Sequence, residues 1–143
     1  MTGRIHLIKL SVGTESVEGL RDWQAGYRKR LGRDHGLHIT RMWPKREAEL
    51  LNGGSIYWII KGFIQARQRL IGFDEIIGDD GIRRCGLMLD PELIATTHAP
   101  RRPFQGWRYL AVEDAPADLP EGREAEETLP SELQQGLDIL GLR

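Results

Sequence analysis

The sequence predicts an α+β fold: a strongly curved, mixed or mainly antiparallel sheet of about five to seven strands, with short helices on its flank and a C-terminal helix. Three observations lead there. From Ser55 to Glu75 the even positions Ile56, Trp58, Ile60, Ile64, Ala66 and Leu70 are apolar, while the odd ones include Lys61, Gln65, Arg67 and Arg69. Successive strand side chains point to opposite faces, so this stretch reads as a sheet spine with one apolar and one basic face. At about 3.3 Å per residue it would run roughly 60 Å if straight, too long for a chain of this size, and it must bend or turn. Gly62 and Gly72 are the natural places, because glycine accepts the dihedrals of a bulge or corner. The third observation is that Val17, Leu20, Trp23, Tyr27 and Leu31 recur at spacings of three and four, the stripe of an amphipathic helix.

In chain order, Arg4 to Val12 is a short apolar run stopped by Gly13 and reads as a buried strand. Ser16 is placed to cap the helix that follows, with Trp23 and Tyr27 facing the core. Leu37 to Met42 alternates as a second strand. Pro44 suits a first helical turn and Gly53-Gly54 an end, so Pro44 to Asn52 reads as a short helix resting on Ala48 and Leu51. After the spine, Gly78-Asp79-Asp80-Gly81 reads as a hairpin loop, and Ile82 to Leu89 as the return strand, stopped by Asp90-Pro91. Ala99 to Tyr109 is loop-rich, and Trp107 to Val112 reads as a last strand. Glu113 to Glu127 has few large apolar residues and reads as a loose linker before a helix near Ser131 to Leu142.

Composition points to one domain with a real core: 143 residues, 40% hydrophobic and 29% charged. No run approaches a membrane span, and Met-Thr-Gly-Arg-Ile has no signal-peptide character, so a cytoplasmic, non-membrane protein is expected. The single cysteine, Cys85, excludes an internal disulfide and a thiolate zinc cluster, and reads as a small core residue. Net charge hides an asymmetry. Residues 1–112 carry 18 Lys and Arg against 12 Asp and Glu, whereas residues 113–143 carry 2 against 9. The chain thus divides into a basic α+β body, 1–112, and an acidic linker with an amphipathic helix, 113–143; the body suits an anionic partner that the tail would screen.

Two segments combine cations with aromatics: Arg41, Trp43, Lys45 and Arg46 in the first, Arg101, Arg102, Gln105, Trp107 and Arg108 in the second. Guanidinium forks match phosphate oxygens and aromatic faces stack on unpaired bases, so this mixture fits RNA or another single strand; it also fits cation–π packing at a surface. Lys61, Gln65, Arg67 and Arg69 of the spine's polar face extend the candidate surface. A helix starting at Pro44 would add a positive dipole end beside Lys45 and Arg46. The histidines, His6, His35, His38 and His98, lack metal-ligand spacing, Asp79-Asp80 reads as a solvated turn, and neither metal nor cofactor is expected. One catalytic set is conceivable: Lys61 as base, Thr40 as nucleophile and Glu75 as proton shuttle.

The phrases IHLIKL, TRMWPKR, GGSIYWIIKG, DDGIRRC, LDPEL and PRRPFQGWRYL together resemble a bacterial family described as a domain of unknown function (DUF1489-like) over roughly residues 4 to 119. A more distant likeness is to the PUA-like group of RNA and modified-base binders, with its ASCH and EVE domains. There a helix ending in glycine leads into a strand as Leu50 to Tyr57 does, and an EVE-like phrase is similar to Gly62-Phe63-Ile64-Gln65-Ala66-Arg67. That likeness implies a small β-barrel and a basic cleft with an aromatic pocket to which Trp43, Trp58 or Trp107 contributes. Some ASCH-like relatives are nucleoside amidohydrolases with a Lys-Thr-Glu set. The leading expectation is a nucleic-acid or modified-nucleotide binding module; the alternatives are a small amidohydrolase using Lys61, Thr40 and Glu75, and a protein-interaction module docking through Leu133, Leu137 and Leu140.

Overall fold

The computed structural model describes residues 3–119. Along them run β1 (His6–Leu10), α1 (Val17–Leu31), β2 (Gly36–Thr40), α2 (Glu47–Leu50), β3 (Ser55–Ile60), β4 (Phe63–Ile77), β5 (Arg83–Leu89), β6 (Ile94–Pro100) and β7 (Trp107–Leu110), then a 3₁₀ turn at Val112–Asp114. The strands form a mixed sheet in the order β2-β5-β4-β3-β1-β7, and β6 also pairs with β4. β1 and β3 run parallel; the other pairs are antiparallel.

The Ser55 to Glu75 stretch is a hairpin rather than one bent strand. Its turn falls on Lys61 (φ 51°) and Gly62 (φ 83°), the two positive φ values of a type I′ connection, whose twist matches that of the strands it joins. Beyond the turn the alternation holds: Ile64, Ala66, Gln68 and Leu70 are buried, Phe63, Arg69 and Ile71 exposed. β3 differs, being buried on both faces. On β4 the register skips Gln65, so that Trp58 faces Ala66 and Ile59 faces Ile64, and a second irregularity lies between Leu70 and Gly72. Such bulges bend a strand and increase its twist. β5 and β6 flank β4 as two halves of one run, joined through the Asp90 N–H to the Arg69 carbonyl and broken at Pro91, which has no N–H for the ladder. The sequence pattern did not announce β6, because Ile94-Ala95-Thr96-Thr97 lacks a clear alternation.

The resulting curl brings β5 against the same core as β1 and β7: Cys85, Leu87 and Leu89 share a cluster with Leu7, Trp58 and Trp107. Ile8, Tyr57, Ile59, Ile64 and Leu110 form a smaller cluster, Ile8 pointing to the face opposite Leu7. The sheet nevertheless stays open, and the small closed barrel is not formed: among the described residues no ladder joins the edge strands β2 and β7. The 41–46 segment spans that gap. Trp107 Nε1 donates to the Met42 carbonyl at 2.9 Å, and the Tyr109 hydroxyl oxygen accepts the Lys45 and Arg46 N–H groups at 2.9 and 3.2 Å.

α1 begins where expected, Ser16 Oγ accepting the Gly19 N–H at 2.9 Å, and ends at Gly32 in the left-handed region (φ 65°). Its phase differs from the apolar stripe. Leu20 and Gln24 are buried, whereas Trp23 is 58% exposed. The reason lies across the core: Gln68 is fully buried on β4, and a buried amide without partners costs about 1–3 kcal/mol. Gln24 turns inward to meet it, and Trp23 moves out. α2 is a single turn resting on Leu50 rather than on Ala48 and Leu51, both of which are exposed. Its first i→i−4 bond runs from the Leu50 N–H to the Arg46 carbonyl, and the Lys45 and Arg46 N–H groups that precede it donate to Tyr109. Past β7 the acidic segment lies along β6: Thr97 N–H donates to the Ala117 carbonyl, Leu119 N–H to the Ala95 carbonyl, and Arg67 forks onto Asp118 at 2.7 Å. The expected C-terminal helix, with Leu133, Leu137 and Leu140, lies outside the described residues.

Candidate functional site

The two basic-aromatic segments do come together, as the clasp over the open side of the sheet, and their aromatics are largely occupied there. Trp107 is buried, with its N–H spent on Met42. Trp43 donates to Glu47 at 2.7 Å and carries the Arg83 guanidinium 4.3 Å from its ring centroid. Arg108 lies 4.2 Å from the Phe104 ring with Arg101 at 5.9 Å, and Arg46 both pairs with Glu49 and stacks on Tyr109. Cation–π packing thus occupies Arg46, Arg101 and Arg108, half of the cations in the two segments. α2 is a single turn, and the Lys45 and Arg46 N–H groups just before it are already donated to Tyr109. Arg67 is committed to Asp118 and to Ser55 Oγ, and Gln65 Nε2 to the Ile60 carbonyl at 2.7 Å. Among the described residues, Arg41, Lys45, Arg69, Arg101, Arg102 and Arg108 have no carboxylate within ion-pair distance; Gln105 is exposed beside them.

Of the Lys61, Thr40 and Glu75 set, Thr40 and Glu75 lie in register on either side of Cys85, two strands apart, and Lys61 is remote from both. Lys61 sits in the β3–β4 turn and pairs with Glu15 at 3.2 Å, while Glu75 lies near the far end of β4, about 40 Å along the strand, and pairs with Arg83. Thr40 Oγ1 accepts the Met42 N–H. Cys85 is fully buried, and burial pushes its thiol up to about 11, away from nucleophile chemistry. Asp80 is held by Arg84 and the Ile82 N–H, and no cluster of metal-ligating residues occurs among the described residues.

A different set of residues converges on a cavity of about 530 Å3 between the N-terminal half of α1, the β1–α1 loop, β2 and β3. Lys9 follows Ile5 and Leu7 on the inner face of β1 and lies in register between Trp58 and Trp107. It is half-buried, burial lowers its pKa, and among the described residues no carboxylate lies within ion-pair distance of it. Opposite, His38 meets Trp58 edge-on at 5.7 Å, and its Nε2 is buried without a partner. Burial first and Lys9 second hold its pKa down to about 4, so it is neutral at pH 7. Ser11 Oγ donates to Thr14 Oγ1 at 2.8 Å in the loop. At the rim, Trp23 stacks on Tyr27 with centroids 5.1 Å apart and planes 12° from parallel. Gln24 gives the floor a polar group and is backed by Gln68: the two pair through both amides at 2.8 and 2.7 Å, and Gln68 Oε1 also accepts Trp58 Nε1 at 2.9 Å.

A family profile described as "Protein of unknown function (DUF1489)" matches residues 7–143. The chain belongs to that family. No curated protein and no solved structure matches it. The DUF1489 chain therefore has to be read from its own geometry. In sequence Trp23 and Tyr27 looked like core and Lys9 and His38 like strand residues; the one available signal was Lys9, a cation in phase with Ile5 and Leu7 on the apolar side of β1. No helix among the described DUF1489 residues is long and apolar enough to cross a membrane.

Proposed function

We propose that the protein binds a nucleotide, free or at an unpaired position of a single strand, with the phosphate at Lys9 and the base against the aromatic wall of the cavity. The observation that carries this reading is the half-buried Lys9, without a carboxylate partner among the described residues, set in a concave site beside Trp58, Trp23 and Tyr27. A desolvated ammonium without a counter-ion is costly, and an incoming phosphate removes that cost. Indole and phenol faces supply sequence-tolerant stacking. The volume falls within the roughly 300–1,000 Å3 of small-molecule sites. The excess of cations in residues 1–112, including Arg41, Lys45, Arg101, Arg102 and Arg108, which have no carboxylate partner among the described residues, favours approach of an anion and gives a longer strand a path beyond the cavity.

The test is a titration of the full-length protein with nucleoside monophosphates and short single-stranded RNA and DNA, followed by tryptophan fluorescence and calorimetry at two salt concentrations. Saturable quenching is expected, weakening with salt, lost by about tenfold or more in Lys9→Met and largely kept in Lys9→Arg. Absence of saturable binding at millimolar nucleotide, or equal binding by wild type and Lys9→Met, overturns the reading.

A further inference from the structure

Gln24 on the cavity floor is held by Gln68 behind it, and the hydrogen bonds of that pair fix the orientation of the Gln24 amide. Each amide nitrogen carries two hydrogens and each amide oxygen two lone pairs, so the mutual pairing of Gln24 and Gln68 spends half of what they have. Gln68 spends the rest internally. Its oxygen takes the Trp58 N–H at 2.9 Å, and its nitrogen donates to the Asp90 carbonyl at 3.1 Å. Turning both amides over would set the Gln68 nitrogen against the Trp58 N–H and its oxygen against the Asp90 carbonyl, two like-with-like contacts. One orientation therefore survives, and Gln24 inherits it. Gln24 Nε2 lies beside Gln68 Oε1, on the flank where Trp58 stands; Gln24 Oε1 lies on the flank of Asp90. Gln24 and Trp58 line the cavity, whereas Gln68 and Asp90 do not. The unspent N–H of Gln24 is therefore on the flank of Trp58, the flank that borders the cavity.

We propose that Gln24 is a specificity residue: it presents a fixed donor, so the cavity prefers a base with a ring carbonyl over one with an amino group at that position. The inference rests on the nucleotide reading above and sharpens it. Lys9 and Gln24 together make a wall that donates, which suits a ligand rich in acceptors, phosphate at one end and carbonyl at the other. An amino group facing Gln24 would leave two donors opposed in a partly dry site, an arrangement that sites reject strongly. Trp58 and Gln68 act as positioning residues, because they set the direction of the Gln24 amide without offering it to the ligand themselves.

The experiment is calorimetric titration of the full-length protein with two pairs that differ by oxo against amino: inosine and adenosine monophosphate, uridine and cytidine monophosphate. The expected result is a preference of about tenfold for the oxo member of each pair. Trp58→Phe keeps an aromatic ring but removes one of the two contacts that orient Gln68, the other being the Asp90 carbonyl; the preference then narrows, chiefly because the amino nucleotide gains affinity, an outcome that general structural damage cannot produce. Gln24→Leu, with folding checked by thermal melting, brings the paired affinities together without a gain for either. Equal binding of the paired nucleotides by wild type, or a preference for the amino members, overturns the role of Gln24 and leaves nucleotide binding through Lys9 standing. Failure to bind any of the four overturns both.

Discussion

Replacing Gln68 with leucine tests whether the buried amide pair, rather than apolar packing alone, sets the seating of α1. The substitution leaves the Trp58 N–H, on a side chain only 4% exposed, without an acceptor, at a cost of about 1–3 kcal/mol. Gln24 loses both of its bonds but can reach water in the cavity, which keeps its cost near ~1 kcal/mol. The Asp90 carbonyl loses a donor worth about 0.5–1 kcal/mol. Against these, the extra apolar burial of leucine contributes about 1–1.5 kcal/mol. The net destabilisation is about 2–3 kcal/mol, which lowers the melting midpoint by roughly 6–12 °C. Urea unfolding of wild type, Gln68→Leu, Gln24→Leu and the double variant closes a thermodynamic cycle. Because the double variant removes both amides and orphans only the Trp58 N–H and the Asp90 carbonyl, its loss should fall short of the summed single losses by about 1–2 kcal/mol. Stability of Gln68→Leu equal to wild type, or strict additivity of the two single losses, would refute the argument.

Acid should weaken the fold earlier than carboxylate titration alone would. His6 is 6% exposed and its Nδ1 accepts the Ser55 N–H at 2.9 Å; burial first, then Arg4 and Arg67, lower its pKa from 6.5 to about 4. The unfolded chain therefore binds the proton first, so the stability due to His6 is complete above pH 6.5 and lost as pH falls toward 4, about 3 kcal/mol in all. His38 has the same shift, and His6→Gln should remove about half of the slope between pH 6.5 and 4; an unchanged slope in urea unfolding would count against it. Two glycines should separate crowding from backbone strain. In Gly54→Ala the new Cβ would lie 2.4 Å from the Ile5 and Leu50 carbonyl oxygens, for a loss of roughly 3 kcal/mol or more, while Gly62→Ala meets nothing within 4 Å and should lose only about 1–2 kcal/mol through its φ of 83°. Lys61→Asn should stabilise by about 0.5 kcal/mol, because asparagine suits the first position of a type I′ turn and the exposed pair with Glu15 contributes little; a loss on denaturant unfolding would show that the ion pair matters more than the turn. Tyr109→Phe removes the acceptor shared by the Lys45 and Arg46 N–H groups and should cost about 1–2 kcal/mol, with faster amide exchange at those two residues.

The features legible in the sequence were those that neighbours along the chain decide. Ser16 caps α1 through a bond within the same few residues, the Gly78–Gly81 loop turns where its own dihedrals allow, and β4 alternates because period two is intrinsic to a strand. The charge division between residues 1–112 and 113–143 is likewise a property of composition. What only the tertiary structure decided depends on groups distant in sequence meeting each other. Gln68 drew Gln24 inward across the core and turned Trp23 from the core to the rim of a cavity, a rotation of one helix position that no local periodicity encodes. The sheet's curl, set at bulges near Gln65 and Ile71, brought Lys9 of β1 opposite His38 of β2, two strands that do not pair. The same curl left an open side, where residues 41–46 meet Trp107 and Tyr109, so those two aromatics are spent on clasping the sheet, while the Arg41, Lys45 and Arg102 side chains keep no carboxylate partner among the described residues. Residue types disclosed what chemistry was available; burial, which depends on the whole packing, decided which of those groups were spent on holding the fold and which were left facing the cavity.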